Sequence, residues 1–172
     1  MIDFYFSGAP NPMKVALMLA ECGLDFKAIP VDTRKGEQFS PAFLALNPNA
    51  KVPAIRDGES TVYETGAILL YLTERFPAAD LGPQPGEPGR GDLLRWIVYL
   101  ANTVHNIHYP VLWPGFLAAD ETGHAAVQAK GRERFDQGGE FLESQLTGQE
   151  WCLGDRVSVA DAAVMPSANS VG

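Results

Sequence analysis

The chain lacks a Cys-x-x-Cys pair, a basic leader, a basic cluster and any long apolar run, and each absence narrows what it can do. Its 172 residues hold two cysteines, Cys22 and Cys152, far apart in sequence. That spacing supports neither a dithiol redox motif nor a structural zinc site. Both cysteines read as buried small apolar residues. Lys and Arg number 13 against 21 Asp and Glu, a formal net charge of -8. With no basic patch to release counterions, the balance speaks against nucleic acid as a partner. No apolar stretch approaches the ~20 residues a membrane helix needs, so no membrane partner is expected. The N-terminus, "MIDFYF", carries an acid and no basic n-region, so no secretory signal is expected and the cytoplasm is the default compartment.

What is present is a globular composition, 46% hydrophobic and 20% charged, in a length that suits one ordinary domain or two small ones. Residues 2–7 read as a strand with Phe4 and Phe6 on one face and Tyr5 and Ser7 on the other. The turn Ala9-Pro10-Asn11-Pro12 leads into an apolar stripe of Val15, Met18 and Leu19. Asn11 reads as the N-cap, with Pro12 at the first helical position and Gly23 as a left-handed stop. "FKAIPV" reads as a second strand that Pro30 confines to an edge or a strand end. A short helix is capped by Ser40, opened by Pro41 and stopped at Asn47-Pro48. "PAI" and "TVY" make a hairpin around Asp57-Gly58, and "TGAILLYLTERF" is a helix closing at Pro77.

Residues 77–91 are rich in Pro and Gly and read as a linker. Beyond them strand alternation disappears. Helical patterns run from about 92 to 118, with breaks expected at Pro110 and Pro114, then from about 125 to 145, and again from near Ser158. The chain therefore divides into an α/β unit, residues 1–76, and an all-α unit, residues 92–172.

The order β-α-β-α-β-β-α, "KVPAI" opening the hairpin, "YETGAILLYL" opening the third helix, and "WCLGDRVSVADAA" in the helical half together resemble the glutathione transferases. The resemblance covers nearly the whole chain. "APNPMKV" and "KGEQFSPAFLALNPNAKVPAI" most resemble a bacterial group that includes glutathione-dependent disulfide reductases. The resemblance implies a thioredoxin-like N-terminal domain, a helical C-terminal domain, a homodimer, glutathione as substrate, and no metal. Its second substrate would be a small hydrophobic electrophile or a disulfide.

The resemblance also implies a site. A cis Val52–Pro53 bond would present a backbone edge to the cysteinyl part of glutathione. Thr65, at a helix N-terminus, would hold the glutamyl carboxylate, and Glu64 its amine. Gln38 and Lys51 are candidates for the terminal carboxylate. For the thiol, Asn11 and the helix start rank first, Ser7 second and Tyr5 third. A threonine hydroxyl common in the bacterial group is absent, because its position is Ala9. Tyr99, His105, His108, Tyr109, Trp113 and Phe116 cluster in the first helix of the second half. Of these, His105, Tyr109 and Trp113 are candidates to wall an apolar substrate, with core packing as the plainer reading. Arg132 and Arg134 are further candidate cations on a face that reads as solvated.

The chemistry expected is attack of glutathione thiolate on an electrophile, or exchange with a glutathione-linked disulfide. The absent turn hydroxyl favours the second. A binding module of the same fold without turnover is the rival, and a dithiol enzyme a weak third. Ser158-Val-Ala-Asp161 fits a capping motif for a buried helix. The family pattern has further helices after it, so the helical unit is expected to be incomplete, with an apolar surface at Val159, Ala163 and Val164.

Overall fold

The computed structural model describes residues 1–168, the side chains of 165–168 excepted. Strand β1 (Ile2–Phe6) pairs in parallel with β2 (Phe26–Pro30) and antiparallel with β3 (Ala54–Asp57), which forms a hairpin with β4 (Ser60–Tyr63). The sheet order is β2-β1-β3-β4. Edge position and strand end both suit Pro30, which has no N–H to donate. The hairpin turn is Gly58-Glu59, one residue later than Asp57-Gly58, because Asp57 pairs with Ser60; Gly58 takes φ 59°.

Helices α1 (Pro10–Glu21), α2 (Pro41–Leu46) and α3 (Thr65–Arg75) complete the first half. The Ser40 side chain accepts from Phe43 N–H, as its capping role requires. Gly23, at φ 63°, donates to Ala20 O while Leu24 N–H reaches Leu19 O, closing α1 with a left-handed stop. The start of α1 differs from the sequence expectation. Pro10, not Pro12, is the first helical residue, and the N-cap is Ala9, with no side-chain bond. First-turn N–H groups have no intrahelical acceptor, so both prolines fit that turn without loss. Asn11 is thereby helical and not a cap.

Helix α4 (Arg90–Val98) runs into a π-helical segment, Tyr99–Val104, and then α5 (His105–Leu112). The break expected at Pro110 does not occur, since Pro110 lies inside α5 with only two residues after it. Long α6 (Glu121–Leu146) packs on α5, and α7 (Val159–Ala168) packs on α1, α3 and α4. The segment between α3 and α4 is strapped down. Gln84 Nε2 donates to Thr73 O at 3.0 Å, Arg90 pairs with Glu74, and Val159 N–H reaches Leu81 O at 3.0 Å.

One buried cluster joins the two halves. Phe4, Val15, Met18, Ile55, Ile68 and Leu72 continue into Leu93, Trp96, Ile97, Leu100, Val159 and Ala160. The apolar surface expected on α7 is not there, for Val159 and Ala163 are buried and Val164 half-buried against α1, α3 and α4. The expectation that the helical unit is incomplete concerns what would follow α7, and residues 169–172 lie outside the described residues. Of the cysteines, Cys152 is buried as expected, whereas Cys22 is only half-buried at the end of α1. Burial pushes both thiols up, so neither is an activated thiolate.

Candidate functional site

The sheet delivers several of the sequence candidates to one edge of the first half. β1 ends at Phe6, and Ser7, Gly8 and Ala9 carry the chain into α1. Ser7 Oγ accepts the Ala9 N–H at 3.4 Å. Pro10 and Pro12 have no N–H, so Asn11 supplies the main-chain donor that the first turn of α1 retains. Its side-chain amide adds a second donor. The positive end of the α1 dipole is thus focused on one residue.

Directly before the neighbouring strand β3, the Val52–Pro53 bond is cis. The ladder stops at Ala54, which faces Tyr5 on one side and Tyr63 on the other, so Val52 lies beyond it. The loop leading there is held by Asn47, a buried side chain that the sequence reading took only as a helix stop. Its Nδ2 donates to Lys51 O at 2.7 Å and its Oδ1 accepts Asn49 N–H at 3.0 Å. The signal available was an asparagine directly before a proline, in Asn47-Pro48-Asn49, a stretch whose irregular backbone needs side-chain partners.

Glu64 links this loop to α3. It has φ 69° and ψ 121°, a conformation that L residues rarely adopt, and its Oε1 accepts from Asn49 Nδ2 at 3.5 Å. Thr65 follows as the first residue of α3, and Gly66 brings that helix start close to the second half. A Cβ on Gly66 would lie 3.0 Å from Ile97 Cγ2. Gln38 points its Nε2 at Thr33 O (3.3 Å), and its Oε1 is buried without a partner among the described residues. Lys51 is exposed.

Tyr5 is not brought to this group. Its ring lies on the α2 side of the sheet, edge-on to Phe43 at 6.1 Å, while Phe4 faces the α1 side. From the helical half comes His105, half-buried at the start of α5. Burial first, then the charge of Lys14, with His108 and Lys51, pushes its pKa below the usual value, and Glu64 pulls the other way. Groups from α1, from the loop before β3 and from the start of α3 therefore all act on one imidazole. Lys14 was missed from the sequence. The signal was a lysine inside the apolar stripe of α1, three residues after Asn11 and four before Met18.

His105 also begins an aromatic ladder. It stands edge-on to Tyr109 at 5.4 Å, and Tyr109 contacts Trp113 at 5.5 Å and Phe116 at 6.1 Å. Trp113 and Phe116 are 50% and 74% exposed, so these rings are not core. His108 is core instead, buried, with Nδ1 against Val104 O at 2.8 Å and its ring edge-on to Phe135. Arg132 and Arg134 are exposed on α6. No cluster of metal-ligating side chains is found among the described residues.

Residues 3–74 match the family model described as Glutathione S-transferase, N-terminal domain. A disulfide-bond oxidoreductase of Escherichia coli (strain K12), YfcG, is 35% identical over 99% of this chain and 80% of its own. Glutathione S-transferase 3 of Zea mays is 30% identical over 94% of this chain and 75% of its own. The chain belongs to the glutathione S-transferase family. The fold agrees. The glutathione transferase homologue from Sulfitobacter, solved with bound glutathione, superposes with a TM-score of 0.86 at 29% identity, covering 98% of this chain and 81% of that one. A glutathione transferase from Pseudomonas putida, solved with one glutathione disulfide per subunit, gives 0.86 at 28% identity, over 98% and 74%. The α/β half is the family's thioredoxin-like domain, and the rest is its helical region. No helix among the described residues is long and apolar enough to cross a membrane.

Proposed function

We propose that this protein binds glutathione along the edge formed by the first turn of α1, Val52–Pro53 and the start of α3, and uses the glutathione thiolate as its nucleophile. The observation that carries this reading is Glu64 held at φ 69° directly before Thr65. That arrangement sets a carboxylate beside a helix N-terminus, a matched pair for a glutamyl amine and carboxylate. Val52, beyond the ladder, offers strand-type pairing to the peptide, and Lys51 or Gln38 would take its far carboxylate. Asn11 donates to the sulfur, Ser7 is the second candidate, and Tyr5 is third, since it lies across the sheet. The ladder His105, Tyr109 and Trp113 walls the second substrate.

Two reactions fit. The sulfur attacks an electrophilic carbon, forming a C–S bond while the leaving group departs with its electron pair. Alternatively it attacks the glutathione sulfur of a mixed disulfide, forming glutathione disulfide and releasing the other thiolate. Neither needs a protein dithiol. Cys22 stands at the far end of α1 from Asn11, about 16 Å away along the axis, and Cys152 is buried. A free-thiol reagent suits the reducing cytoplasm. The same reading takes residues 1–76 and 92–172 as two domains joined by 77–91. It also takes the protein as a homodimer, a reading that exposed Leu94 and Val98, one turn apart on α4, support.

The test is calorimetric titration with glutathione, followed by turnover with a chlorinated nitroaromatic and with a glutathione mixed disulfide. Binding with either turnover is expected. Binding with neither leaves a non-catalytic module, and no binding overturns the reading.

A further inference from the structure

The rings that lead away from His105 grow wetter along their run. His105 and Tyr109 are half-buried, Trp113 is 50% exposed and Phe116 74%. Tyr109 is the hub, edge-on to His105 and to Phe116 and tilted against Trp113. Phe116 reaches it because the chain folds back after α5, with Phe116 N–H bonded to Trp113 O at 3.1 Å. The rings are not spent on α6. That helix meets other residues of α5, for a Cβ on Gly138 would lie 3.1 Å from Ile107 Cδ1, and Gly131 faces Pro110 and Val111. The inner end of the run is fixed by contact with the first half. A Cβ on Gly66, second residue of α3, would lie 3.0 Å from Ile97 Cγ2 and 3.8 Å from Ala101 Cβ. His105 follows Ala101 by four residues, about one turn further along the same continuous helix. The run therefore starts beside the start of α3 and ends in solvent. Exposed rings in one connected group mark a binding surface more than a scatter of single apolar residues does.

We propose that the second substrate is an extended aromatic compound of two or more fused or linked rings. Its reacting carbon or sulfur lies at the His105 end, and its outer ring packs against Tyr109, Trp113 and Phe116. The inference rests on the glutathione reading above and names the substrate class of that site. Ring planes inclined at 51° to 87° present both edges and faces. An aromatic guest gains edge-to-face attraction from them that an alkyl chain of equal area does not. A single ring held near His105 reaches Tyr109; a second ring is needed to reach Trp113 and Phe116. Phe116 is then a specificity-determining residue, remote from the reacting atoms. The bond changes are those given above: glutathione sulfur joins the aryl-bearing carbon and the leaving group departs with its electron pair, or it joins the glutathione sulfur of a mixed disulfide and an aryl thiolate departs.

Three glutathione conjugates test this by calorimetry: S-methylglutathione, S-octylglutathione and S-(2-naphthylmethyl)glutathione. Each carries its group already joined to sulfur and so spans both parts of the site. The wild type is expected to bind the naphthylmethyl conjugate at least about tenfold more tightly than the methyl one, and about threefold or more beyond the octyl one. Phe116→Ala should lower the ratio of naphthylmethyl to methyl affinity by about threefold or more, and Phe116→Tyr should keep it. Octyl binding equal to or tighter than naphthylmethyl binding in the wild type overturns the proposal, whether or not any variant folds. So does an unchanged ratio in Phe116→Ala. Sedimentation runs beside the titrations: a variant that loses a dimer while keeping the ratio assigns the rings to a subunit contact and also overturns it. Failure of the wild type to bind S-methylglutathione or glutathione at all overturns the glutathione reading itself, and this inference with it.

Discussion

Gly131 of α6 meets Pro110 of α5 so closely that a Cβ on the glycine would stand 2.8 Å from the proline Cβ. The same Cβ would lie 3.0 Å from Val111 Cγ2 and 3.2 Å from Val111 N. The missing side chain is what lets the two helices approach at the proline.

Two alanine substitutions on α6 should therefore act in opposite directions. Gly131→Ala is expected to destabilise by about 1–3 kcal/mol, because a backbone atom is among those it would strike. Gly139→Ala has nothing within 4 Å and should stabilise by about 0.5–1 kcal/mol through helix propensity. Urea unfolding of the two variants checks the signs.

Asp161 is the polar keystone of α7. Its carboxylate accepts Cys152 N–H at 2.7 Å, Ser158 N–H at 2.8 Å and Ser158 Oγ–H at 2.9 Å. Asp161→Ala leaves buried donors without an acceptor and should cost about 3 kcal/mol or more. Chemical denaturation of Asp161→Ala beside Ser158→Ala, for which about 1 kcal/mol is expected, would show whether the carboxylate dominates.

Glu64 should show a trade between stability and binding. Glycine adopts positive φ at no steric cost, so Glu64→Gly should raise stability by about 1 kcal/mol. It should also weaken glutathione at least about tenfold, through loss of the partner for the glutamyl amine. A variant with unchanged glutathione affinity would remove Glu64 from the site.

Asn11→Ala should raise the pKa of bound glutathione thiol by about one unit and slow turnover at neutral pH. Because Asn11 is a helical residue and not the cap, stability should change by no more than about 0.5 kcal/mol. Thiolate absorbance against pH, run beside Ser7→Ala and Tyr5→Phe, assigns the donor. A shift in Ser7→Ala alone would move the role to that hydroxyl.

Lys14 should write itself into the pH dependence of stability. Its folded pKa, about 8, lies below the ordinary 10.5. Between those values the unfolded chain binds more protons, so this residue makes stability rise with pH in that window. Cys22 and Cys152, whose folded values are raised, act in the opposite sense. Subtracting the Lys14→Met curve from the wild-type curve cancels them. The difference should climb from pH 8 to 10, and a flat difference would mean that Lys14 is not desolvated.

Much of the fold was legible because local rules and burial agreed. Ser40 caps where its hydroxyl can reach Phe43 N–H, Gly23 turns left-handed, Pro30 ends an edge strand, and Ser158 and Asp161 close the start of α7. Each depends on a few neighbouring residues, so the sequence determined it alone. The choice between Pro10 and Pro12 was not local in this sense. Either suits a first turn, and the path of the chain out of β1 selected the earlier one. Pro110 lies inside α5, and the close approach of α6 there depends on Gly131, 21 positions along the chain. Val159 and Ala163 are buried where α7 packs on α1, α3 and α4, elements far from them in sequence. Lys14 is the clearest case. Its position in an apolar stripe was visible, but its burial, and the effect of its charge on His105 from the other half, exist only once both halves share one core. Hydrogen-bonding and steric limits on single residues act over a few bonds and can be read from the chain. Burial and charge depend on what lies across the gap, and only the packed structure decides that.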